Sequence, residues 1–328
     1  MEKRRIGNSE LYASVIGFGC WIASGSDYWA GTEEKEIIKT MQAAYERGIN
    51  FFDVAPVYGY GNAEKVLGRA VKGFRHEIII ASKCGLVWEE VRHERPCLAK
   101  ESILAEIDRT LKRLDMDHVD LYQLHWPDYD VPIEETMEAI NMIVKSGKVR
   151  YVGLSNFPIG LAKTALKYTP IVSEQLLYNM LDRNSSHYHN IPLHYRTHDQ
   201  MVEFCRNHSI AIIPYSPLSQ GLLTGKYKPE KVSAAGIHDV RNANPELQGD
   251  SLARRMAVVS KLITVADEIE KPLNEVALNW LLAEPAVATI VCGARNIEQV
   301  AGNINATTWK LDKETYQRLN TILDEEGF

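Results

Sequence analysis

Eight short apolar runs constrain the fold of this 328-residue chain most strongly, because a longer segment of helical periodicity follows each of them. The runs are rich in β-branched residues and lack polar alternation, which is typical of parallel strands covered on both faces. Eight β-then-α units predict a closed (β/α)8 TIM barrel, a fold that often exceeds about 250 residues as one domain. The predicted strands are residues 15–20, 50–55, 77–83, 118–125, 149–156, 171–177, 210–216 and 287–293.

Three of the intervening segments have clear helix signals. Residues 32–48 begin with acidic side chains and end with a basic residue and a glycine, which suits the helix dipole. Residues 132–148 begin near a proline and end near a glycine. Residues 98–115 repeat apolar side chains at three- and four-residue spacing, which predicts one buried stripe. That stripe is Ile103, Leu104, Ile107, Leu111 and Leu114.

An open, doubly wound sheet is the alternative α/β fold, and the glycine pattern argues against it. Its dinucleotide fingerprint is G-x-G-x-x-G between a strand and a helix. The pair Gly59 and Gly61 is followed by Glu64 where the third glycine should stand, and the pair Gly17 and Gly19 also lacks a third. We therefore expect no Rossmann domain.

Three segments stand outside the alternation of strands and helices. Residues 1–14 predict a short β-hairpin with its turn at residues 7–9. Residues 184–198 and 226–250 are polar and predict long loops, which in compact domains are usually lids or binding segments. We expect residues 1–328 to form a single barrel domain.

Composition excludes several classes of protein. Charged residues are 24% and hydrophobic residues 45% of the chain, as in soluble globular proteins. The net charge of −6 is spread along the sequence without a basic run, so neither nucleic acid nor an anionic membrane is an expected partner. No apolar segment approaches about 20 residues, and no secretory signal opens the chain. The five scattered cysteines contain no C-x-x-C pair and indicate free thiols in the cytoplasm.

Polar side chains gather at the predicted carboxyl ends of the strands, which form the active-site face of such a barrel. Each alone has a structural explanation: a strand-end aspartate often caps a helix, a lysine can extend to solvent, and a histidine can be a satisfied core residue. Several on one rim favour a catalytic site. They are Asp53, Tyr58, Lys83, His125, Ser155, Asn156, Gln175, Tyr215 and Ser216.

The sequence resembles the aldo-keto reductases, whose fold is this barrel without a Rossmann domain. The resemblance runs nearly end to end and is greatest to the bacterial branch that includes general stress-type reductases and the potassium-channel β subunits. It is carried by the N-terminal hairpin, FFDVAPVYGYGNAE, IIASK, LYQLHWPD, VGLSNF, the glutamine of SEQLLYN, YSPLSQGLLTGK and GARNIEQ.

The resemblance implies a catalytic tetrad of Asp53, Tyr58, Lys83 and His125. Hydride reduction of a carbonyl leaves an alkoxide that needs a proton, and a phenol with a pKa of about 10 is a weak donor. The Lys83 ammonium is expected to lower the pKa of Tyr58, and Asp53 to keep that lysine charged. His125 would donate a hydrogen bond to the carbonyl oxygen.

The resemblance also implies how a nicotinamide cofactor is held. Ser155, Asn156 and Gln175 would hydrogen-bond the carboxamide, and Tyr215 would stack on the ring. The residues assigned to the pyrophosphate are Ser216, Leu218, Gln220 and Gly221, with charge from Lys226 and Arg241.

The adenosine end is assigned to the last strand and helix. A helix N-terminus is a ready anion site. Arg295 beside it suits a 2′-phosphate, which favours NADP(H) over NAD(H). Gly293, Gln299 and Asn303 complete this set.

Two further features concern the substrate side. Residues 184–198 hold four histidines, His187, His189, His194 and His198, but their spacing fits no familiar metal motif, so we expect no metal and a rim loop that shapes access. Substrate selection is assigned to aromatic side chains that could also serve plain packing: Trp21, Tyr28, Trp29, Trp88 and Trp126.

These observations lead to one hypothesis and two alternatives. The chain is expected to be an NADP(H)-dependent reductase of aldehydes or ketones, with sugars and other small polar carbonyls as candidates. The first alternative is a cofactor-binding regulatory subunit like the potassium-channel β subunits. The second, an aldolase with a Schiff base on Lys83, needs a neutral amine that Asp53 opposes. The oligomeric state is left open.

Overall fold

The computed structural model describes residues 1–90, 93–228, 230–231 and 239–328. All eight predicted strands are present and pair in parallel in one sheet, which confirms the predicted (β/α)8 fold. Apolar, β-branched residues fill these strands because both faces are covered, one by the barrel interior and one by the helices. The barrel strands are β3 (Ile16–Gly19), β4 (Phe51–Asp53), β5 (Ile79–Cys84), β8 (Val119–Leu124), β9 (Val149–Ser155), β10 (Ile171–Leu177), β13 (Ala211–Tyr215) and β14 (Ile290–Cys292).

Strand order closes the sheet into a barrel. Neighbouring strands run β13-β10-β9-β8-β5-β4-β3-β14. Between the two end strands, the Ile212 N–H donates to Ala286 O at 2.7 Å and the Ala288 N–H donates to Ile212 O at 3.1 Å. These bonds bring β13 back beside β14, so every carboxyl strand end lies on one rim.

Helices cover the outside of the barrel. The helix over residues 98–115 buries the predicted stripe except Leu104, which is half-buried. Short 3-10 helices follow β3 and β13, at Cys20–Ser24 and Ser219–Thr224. The α-helices are α1 (Glu34–Glu46), α2 (Asn62–Val71), α3 (Lys100–Leu114), α4 (Ile133–Lys145), α5 (Ile159–Ala165), α6 (Val202–His208), α7 (Gly249–Glu268), α8 (Leu273–Leu282), α9 (Ile297–Asn305) and α10 (Lys313–Glu325).

The predicted N-terminal hairpin consists of β1 (Lys3–Arg5) and β2 (Tyr12–Ser14), paired antiparallel. Its Ile6 and Leu11 pack with Phe51 and Leu121 in an apolar cluster separate from the main core. Gly7 turns at a φ of +50°, and a Cβ there would lie 2.1 Å from Val172 O, so the turn requires glycine. The hairpin thereby closes the amino-terminal end of the barrel, opposite the rim of strand ends.

An ion cluster lies at that closed end. Asp120, near the start of β8 and 2% exposed, accepts from Arg75 Nη1 and Arg150 Nη1, each at 2.9 Å. Its Oδ2 also accepts from the Ile80 N–H at 2.9 Å. One buried carboxylate thus fastens three neighbouring strand segments at the base of the barrel.

The two predicted long loops carry short regular structure. Residues 184–198 contain a small hairpin, β11 (His187–Tyr188) with β12 (Ile191–Pro192). A second antiparallel pair, β6 (Leu86–Trp88) with β7 (Glu94–Pro96), follows β5. In the segment predicted at 226–250, residues 229 and 232–238 lie outside the described residues. Its described part holds 3-10 helices at Val240–Ala243 and Pro245–Leu247.

Within the described residues, no helix is long and apolar enough to cross a membrane. All five cysteines are free thiols, and four of them are buried.

Candidate active site

The buried strand β4 delivers Asp53 to the rim. Phe51 and Phe52 are fully buried, and Asp53 remains 2% exposed although it is charged. A buried carboxylate is costly unless it is paired and hydrogen-bonded. The neighbouring strand β5 supplies the partner, because Lys83 Nζ lies 2.6 Å from Asp53 Oδ1.

Lys83 is fully buried and its ammonium group has three acceptors. Besides Asp53, Nζ donates to Val54 O at 3.1 Å and to the Tyr58 hydroxyl oxygen at 3.3 Å. Three donors matched by three oxygens is the arrangement of an ammonium ion. It leaves no lone pair on Nζ for the Schiff-base chemistry of the aldolase alternative.

The second oxygen of Asp53 is held by two amides. Gln123 Nε2 donates to Asp53 Oδ2 at 3.1 Å, and Gln175 Nε2 donates to the same oxygen at 2.8 Å. Sequence reasoning missed Gln123, although a signal was available. Gln123 lies on β8, two residues before His125, which directly follows the strand. The two-residue period of a strand places both side chains on the same face.

A glycine turn places Tyr58 beside this cluster. Gly59 has a φ of +62°, and a Cβ there would lie 2.3 Å from Ser24 O. Gly61, at φ +90°, precedes α2. The glycines therefore shape the turn that presents the phenol, and they do not form a phosphate loop.

The pKa of Tyr58 differs from the expectation. Burial, and then the charge of Asp53, raise the pKa of the phenol well above its usual value. The expectation that Lys83 lowers this pKa is wrong for this structure. Asp53 lies closer to the ammonium than the phenol does and offsets its charge, while burial disfavours the phenolate. Tyr58 is consequently a neutral phenol at neutral pH, with its oxygen accepting from Lys83.

His125 follows β8 and completes the predicted tetrad. Its backbone N–H donates to Cys84 O at 2.9 Å, and its ring meets the Tyr58 ring edge-on with centroids 6.0 Å apart. Burial, and then the charge of Lys83, lower the pKa of His125 well below its usual value. A neutral imidazole retains one N–H that can donate to a substrate oxygen. The four predicted catalytic side chains therefore meet at one point on the rim.

The three residues predicted to bind the nicotinamide carboxamide, Ser155, Asn156 and Gln175, lie beside the tetrad. Most of their polar side-chain atoms already form hydrogen bonds within the protein. Asn156 Nδ2 donates to His125 O and to Ser155 Oγ, at 3.2 and 3.0 Å. Asn156 Oδ1 accepts from the hydroxyls of Tyr195 and Tyr215, at 2.8 and 2.9 Å. Asn156 can contact a carboxamide only by exchanging one of these partners. Tyr195, which the sequence reasoning missed, thus helps to set the position of Tyr215.

Residues 216–224, here called the phosphate loop, have a backbone suited to an anion. Ser216, Ser219 and Gln220 have φ values of +51°, +46° and +52°, and Gly221 follows at +109°. Turns that contain left-handed residues direct successive N–H groups toward one point and form anion-binding concavities. A Cβ on Gly221 would meet nothing closer than the Tyr227 ring at 3.8 Å, so this side of the loop is open. The loop fits a pyrophosphate.

Two arginines flank one tryptophan, Trp29. The guanidinium carbons of Arg241 and Arg295 lie 5.9 and 5.4 Å from the Trp29 ring centre. Arg241 pairs with Asp239 through two hydrogen bonds of 2.8 and 2.7 Å. Arg295 Nη1 makes one long bond, of 3.4 Å, to Ala30 O. Arg295 therefore carries the positive charge best placed to meet a phosphate.

The other residues assigned to the cofactor differ in their solvent exposure and in whether their side chains are already hydrogen-bonded. Lys226 is exposed, and Leu218 begins the phosphate loop helix as its N-cap residue. Gly293 faces open space. Gln299 is engaged, because its Oε1 accepts from the Arg295 N–H at 2.7 Å, and Asn303 is buried in α9.

Comparison with known proteins identifies the family and the fold. The model of the Aldo/keto reductase family matches residues 15–324. The chain belongs to this family. Aldo-keto reductase YhdN of Bacillus subtilis is 34% identical over 99% of this chain and 94% of its own length. A glycerol dehydrogenase structure from Gluconobacter oxydans superposes with a TM-score of 0.84 at 27% identity, over 99% of this chain and 96% of that one.

Two other relatives differ in what their names state. The NADH-specific methylglyoxal reductase of Escherichia coli is 29% identical over 93% of each chain. A probable voltage-gated potassium channel subunit beta of Arabidopsis thaliana is 32% identical over 93% of this chain and 91% of its own length. The predicted family is thus confirmed, including its likeness to the channel subunits. Aldo-keto reductases are oxidoreductases that use nicotinamide cofactors.

The aromatic residues assigned to the substrate divide into two groups. Trp21 lies 6.1 Å from the Tyr58 ring, beside the phenol, and meets Trp29 edge-on at 5.2 Å, so Trp29 lies between Trp21 and the two arginines. Trp88 packs on Tyr60 at 5.3 Å, and Trp126 is only 8% exposed.

The histidines of residues 184–198 are engaged individually. His187 Nε2 lies 2.9 Å from Glu246 Oε1, and His189 Nε2 lies 3.0 Å from Gln220 Nε2. The exposed His194 packs on Tyr129 at 5.7 Å. Across the ranges that the structure describes, no three His, Cys, Asp or Glu side chains form a group that could hold a metal ion.

Proposed function

We propose that the protein is an NADP(H)-dependent reductase that converts aldehydes or ketones to alcohols, with Tyr58 as general acid. One observation carries the proposal. In a buried pocket, a lysine bonds both to an aspartate, at 2.6 Å, and to a tyrosine hydroxyl, at 3.3 Å. A structural ion pair does not need the phenol, whereas proton donation does.

The tetrad has a separate task for each member. A bound reduced nicotinamide supplies the hydride, and the carbonyl oxygen then gains negative charge. The Tyr58 oxygen accepts from Lys83, so the phenolic hydrogen is available for transfer to that oxygen. The Lys83 ammonium stabilises the phenolate that remains. Neutral His125 donates its ring N–H to the same oxygen and orients the carbonyl.

The preference for NADP(H) rests on Arg295. Of the two arginines beside Trp29, Arg241 is neutralised by Asp239, and Arg295 has no ion pair within the part of the chain that the structure describes. A 2′-phosphate would supply that partner. We expect Arg295→Ala to weaken NADPH binding about tenfold and NADH binding less than twofold. Equal weakening of both would contradict the assignment, and Arg254→Ala, on a distant surface, is the control.

The substrate class follows from the walls beside Tyr58. Trp21 offers a flat apolar face beside Tyr58, while His125 and Tyr58 offer donors to one oxygen. This combination suits small polar carbonyls, including sugars. We infer that residues 1–328 act as a single barrel domain in the cytoplasm, where free thiols such as the four buried ones here persist.

The experiment is a panel of aldehydes, ketones and alcohols assayed with NADPH and NADH. The proposal predicts turnover of at least one carbonyl class, with NADPH preferred. Absence of turnover across the panel, with NADPH binding intact, would contradict it.

The second candidate function is a cofactor-binding regulatory subunit. It is favoured by the 32% identity to the plant channel subunit. The same panel separates the two, because a regulatory subunit would quench NADPH fluorescence on binding and yet reduce no carbonyl.

A further inference from the structure

The phosphate loop contains backbone that needs support. Ser216, Ser219 and Gln220 are not glycines, yet all three have positive φ. Such conformations are unfavourable for side chains with a Cβ and persist only where surrounding contacts hold them. The contacts that hold these residues therefore determine whether the loop keeps its anion-binding shape.

The hairpin made by β11 and β12, residues 187–192, supplies contacts to two of these three residues. The Tyr188 hydroxyl lies 3.3 Å from Ser216 Oγ, and His189 Nε2 lies 3.0 Å from Gln220 Nε2. The Tyr188 ring also meets the Tyr215 ring edge-on at 5.1 Å. Consecutive residues of one hairpin thus reach both the phosphate loop and the tyrosine assigned to the nicotinamide.

The bond between His189 and Gln220 has a defined direction. An amide nitrogen can only donate, so His189 Nε2 accepts and the ring is neutral. Burial lowers the pKa of His189, which keeps the ring neutral at neutral pH. The other end of the Gln220 amide is also held, because Gln220 Oε1 accepts from Asn244 Nδ2 at 3.0 Å.

A buried ion network anchors the hairpin to the framework. His187 Nε2 lies 2.9 Å from Glu246 Oε1, and Arg255 Nε donates to Glu246 Oε2 at 2.7 Å. Arg255 Nη2 also donates to Asp182 Oδ1 at 2.8 Å, and both of these residues are buried. The hairpin is thus linked through Glu246 to Arg255 of α7, and Arg255 in turn holds Asp182, which follows β10.

We propose that the hairpin is a wall of the cofactor groove, in which Tyr188 and His189 are positioning residues. They hold Tyr215 and the phosphate loop in the conformation that binds the dinucleotide. This inference rests on the proposed function. It assigns the inserted segment to cofactor affinity, whereas the sequence assigned it to substrate access.

The test measures the dissociation constant of NADPH by fluorescence titration for the wild type and four variants. His189→Ala removes the acceptor and is expected to raise this constant about fivefold, the size of one net hydrogen bond. His189→Gln keeps an acceptor and is expected to stay within about twofold of the wild type. Tyr188→Phe, which keeps the ring, is expected to raise the constant about threefold. His194→Ala is the matched control on the same segment and is expected to change nothing.

Two further readouts separate positioning from general damage to the fold. At saturating NADPH, kcat of His189→Ala is expected to stay within about twofold of the wild type, since the tetrad is untouched. Amide hydrogen exchange of residues 216–224 without cofactor is expected to be faster in His189→Ala and normal in His194→Ala.

The outcomes are distinct. An unchanged NADPH constant in both His189→Ala and Tyr188→Phe would overturn the inference, as would an equal rise in His194→Ala. Failure of His189→Gln to restore binding would do the same. If the wild type bound neither NADPH nor NADH, the proposed function itself would fail, and that result is visible before any variant is compared.

Discussion

The two ends of this barrel each contain a buried aspartate on a strand, and the two aspartates serve different purposes. We call the rim of carboxyl strand ends the mouth, and the amino-terminal end closed by the hairpin the base. Asp53 at the mouth and Asp120 at the base are each 2% exposed and each accept hydrogen bonds from a cationic side chain. At the base, the cations are two arginines that remain charged at every accessible pH, and the third donor is a backbone N–H. At the mouth, the cation is a lysine that also touches a phenol.

The difference between the two ends shows what a buried ion pair needs in addition to form a catalytic site. Both pairs satisfy a buried carboxylate, so burial and pairing alone do not mark catalysis. The mouth adds a half-buried group with a transferable proton, Tyr58, and a neutral imidazole donor, His125. The base surrounds Asp120 with two arginines, a backbone N–H and, at 3.9 Å, the ring of His118. Substitutions at the mouth should therefore change rate before stability, and those at the base should do the reverse.

Lys83→Met gives the largest expected effect. Removing the ammonium leaves the Tyr58 phenolate without a partner, so kcat should fall by about 10²- to 10⁴-fold. The check is kcat for the best carbonyl of the panel, together with a thermal melt. A loss of rate no larger than the fraction of unfolded protein would contradict a catalytic role.

Glu106→Gln tests whether a buried carboxyl group near the mouth makes the free energy of unfolding depend on pH. This glutamate accepts from the Gly85 N–H, two residues after Lys83, and burial raises its pKa to about 7. Because the folded-state pKa is raised, the stabilisation from protonated Glu106 is present below pH 4.5 and is lost as pH rises through about 7. The variant should be more stable than the wild type at pH 8, by up to about 3 kcal/mol.

The measurement is urea unfolding of both proteins at pH 5 and pH 8. The gain should shrink to less than about 1 kcal/mol at pH 5, where the carboxyl of the folded wild type is protonated. An equal difference at both pH values would show that the substitution acts by packing rather than by charge.

Asp120→Asn tests the base. It keeps the shape of the side chain and removes the charge shared with Arg75 and Arg150, which are partly exposed. The free energy of unfolding should fall by about 2 kcal/mol, while kcat of the folded protein stays within about twofold. Asp53→Asn, the matched change at the mouth, should lower kcat by at least about tenfold. Similar rate losses in both variants would erase the contrast between the two ends.

The smallest expected effect is that of pH on the reductase rate near neutrality. The pKa of His125 is lowered and that of Tyr58 is raised, so neither group changes its charge between pH 6.5 and 10. The value of kcat/KM for carbonyl reduction should be flat over this range and fall at higher pH, as the phenol ionises. A midpoint near pH 7 would contradict the assigned protonation states.

The fold was largely predictable because its signals are local. Each barrel strand is a short, mostly apolar run, and residues 171–177 were predicted with both boundaries correct. The hairpin turn was signalled by Gly7, whose Cβ would collide with Val172 O. Patterns of this kind depend on neighbours along the chain and need no knowledge of packing.

The candidate site was predictable in its residue types and less so in its connections. The partners of Asn156, Tyr195 and Tyr215, are 39 and 59 residues away. The direction of the Tyr58 pKa shift depends on burial and then on the charge of Asp53, and a sequence states neither. The contacts of Tyr188 and His189 were missed because no periodic pattern runs through a short inserted hairpin.

The most direct test of the account is Tyr58→Phe. We expect NADPH to bind this variant with an unchanged dissociation constant, and oxidation of bound NADPH by a carbonyl in a single turnover to slow by about 10²- to 10⁴-fold. The ring and its contact with Trp21 remain, so the thermal midpoint should not fall. Single-turnover oxidation at close to the wild-type rate would contradict the claim that the phenol supplies the proton.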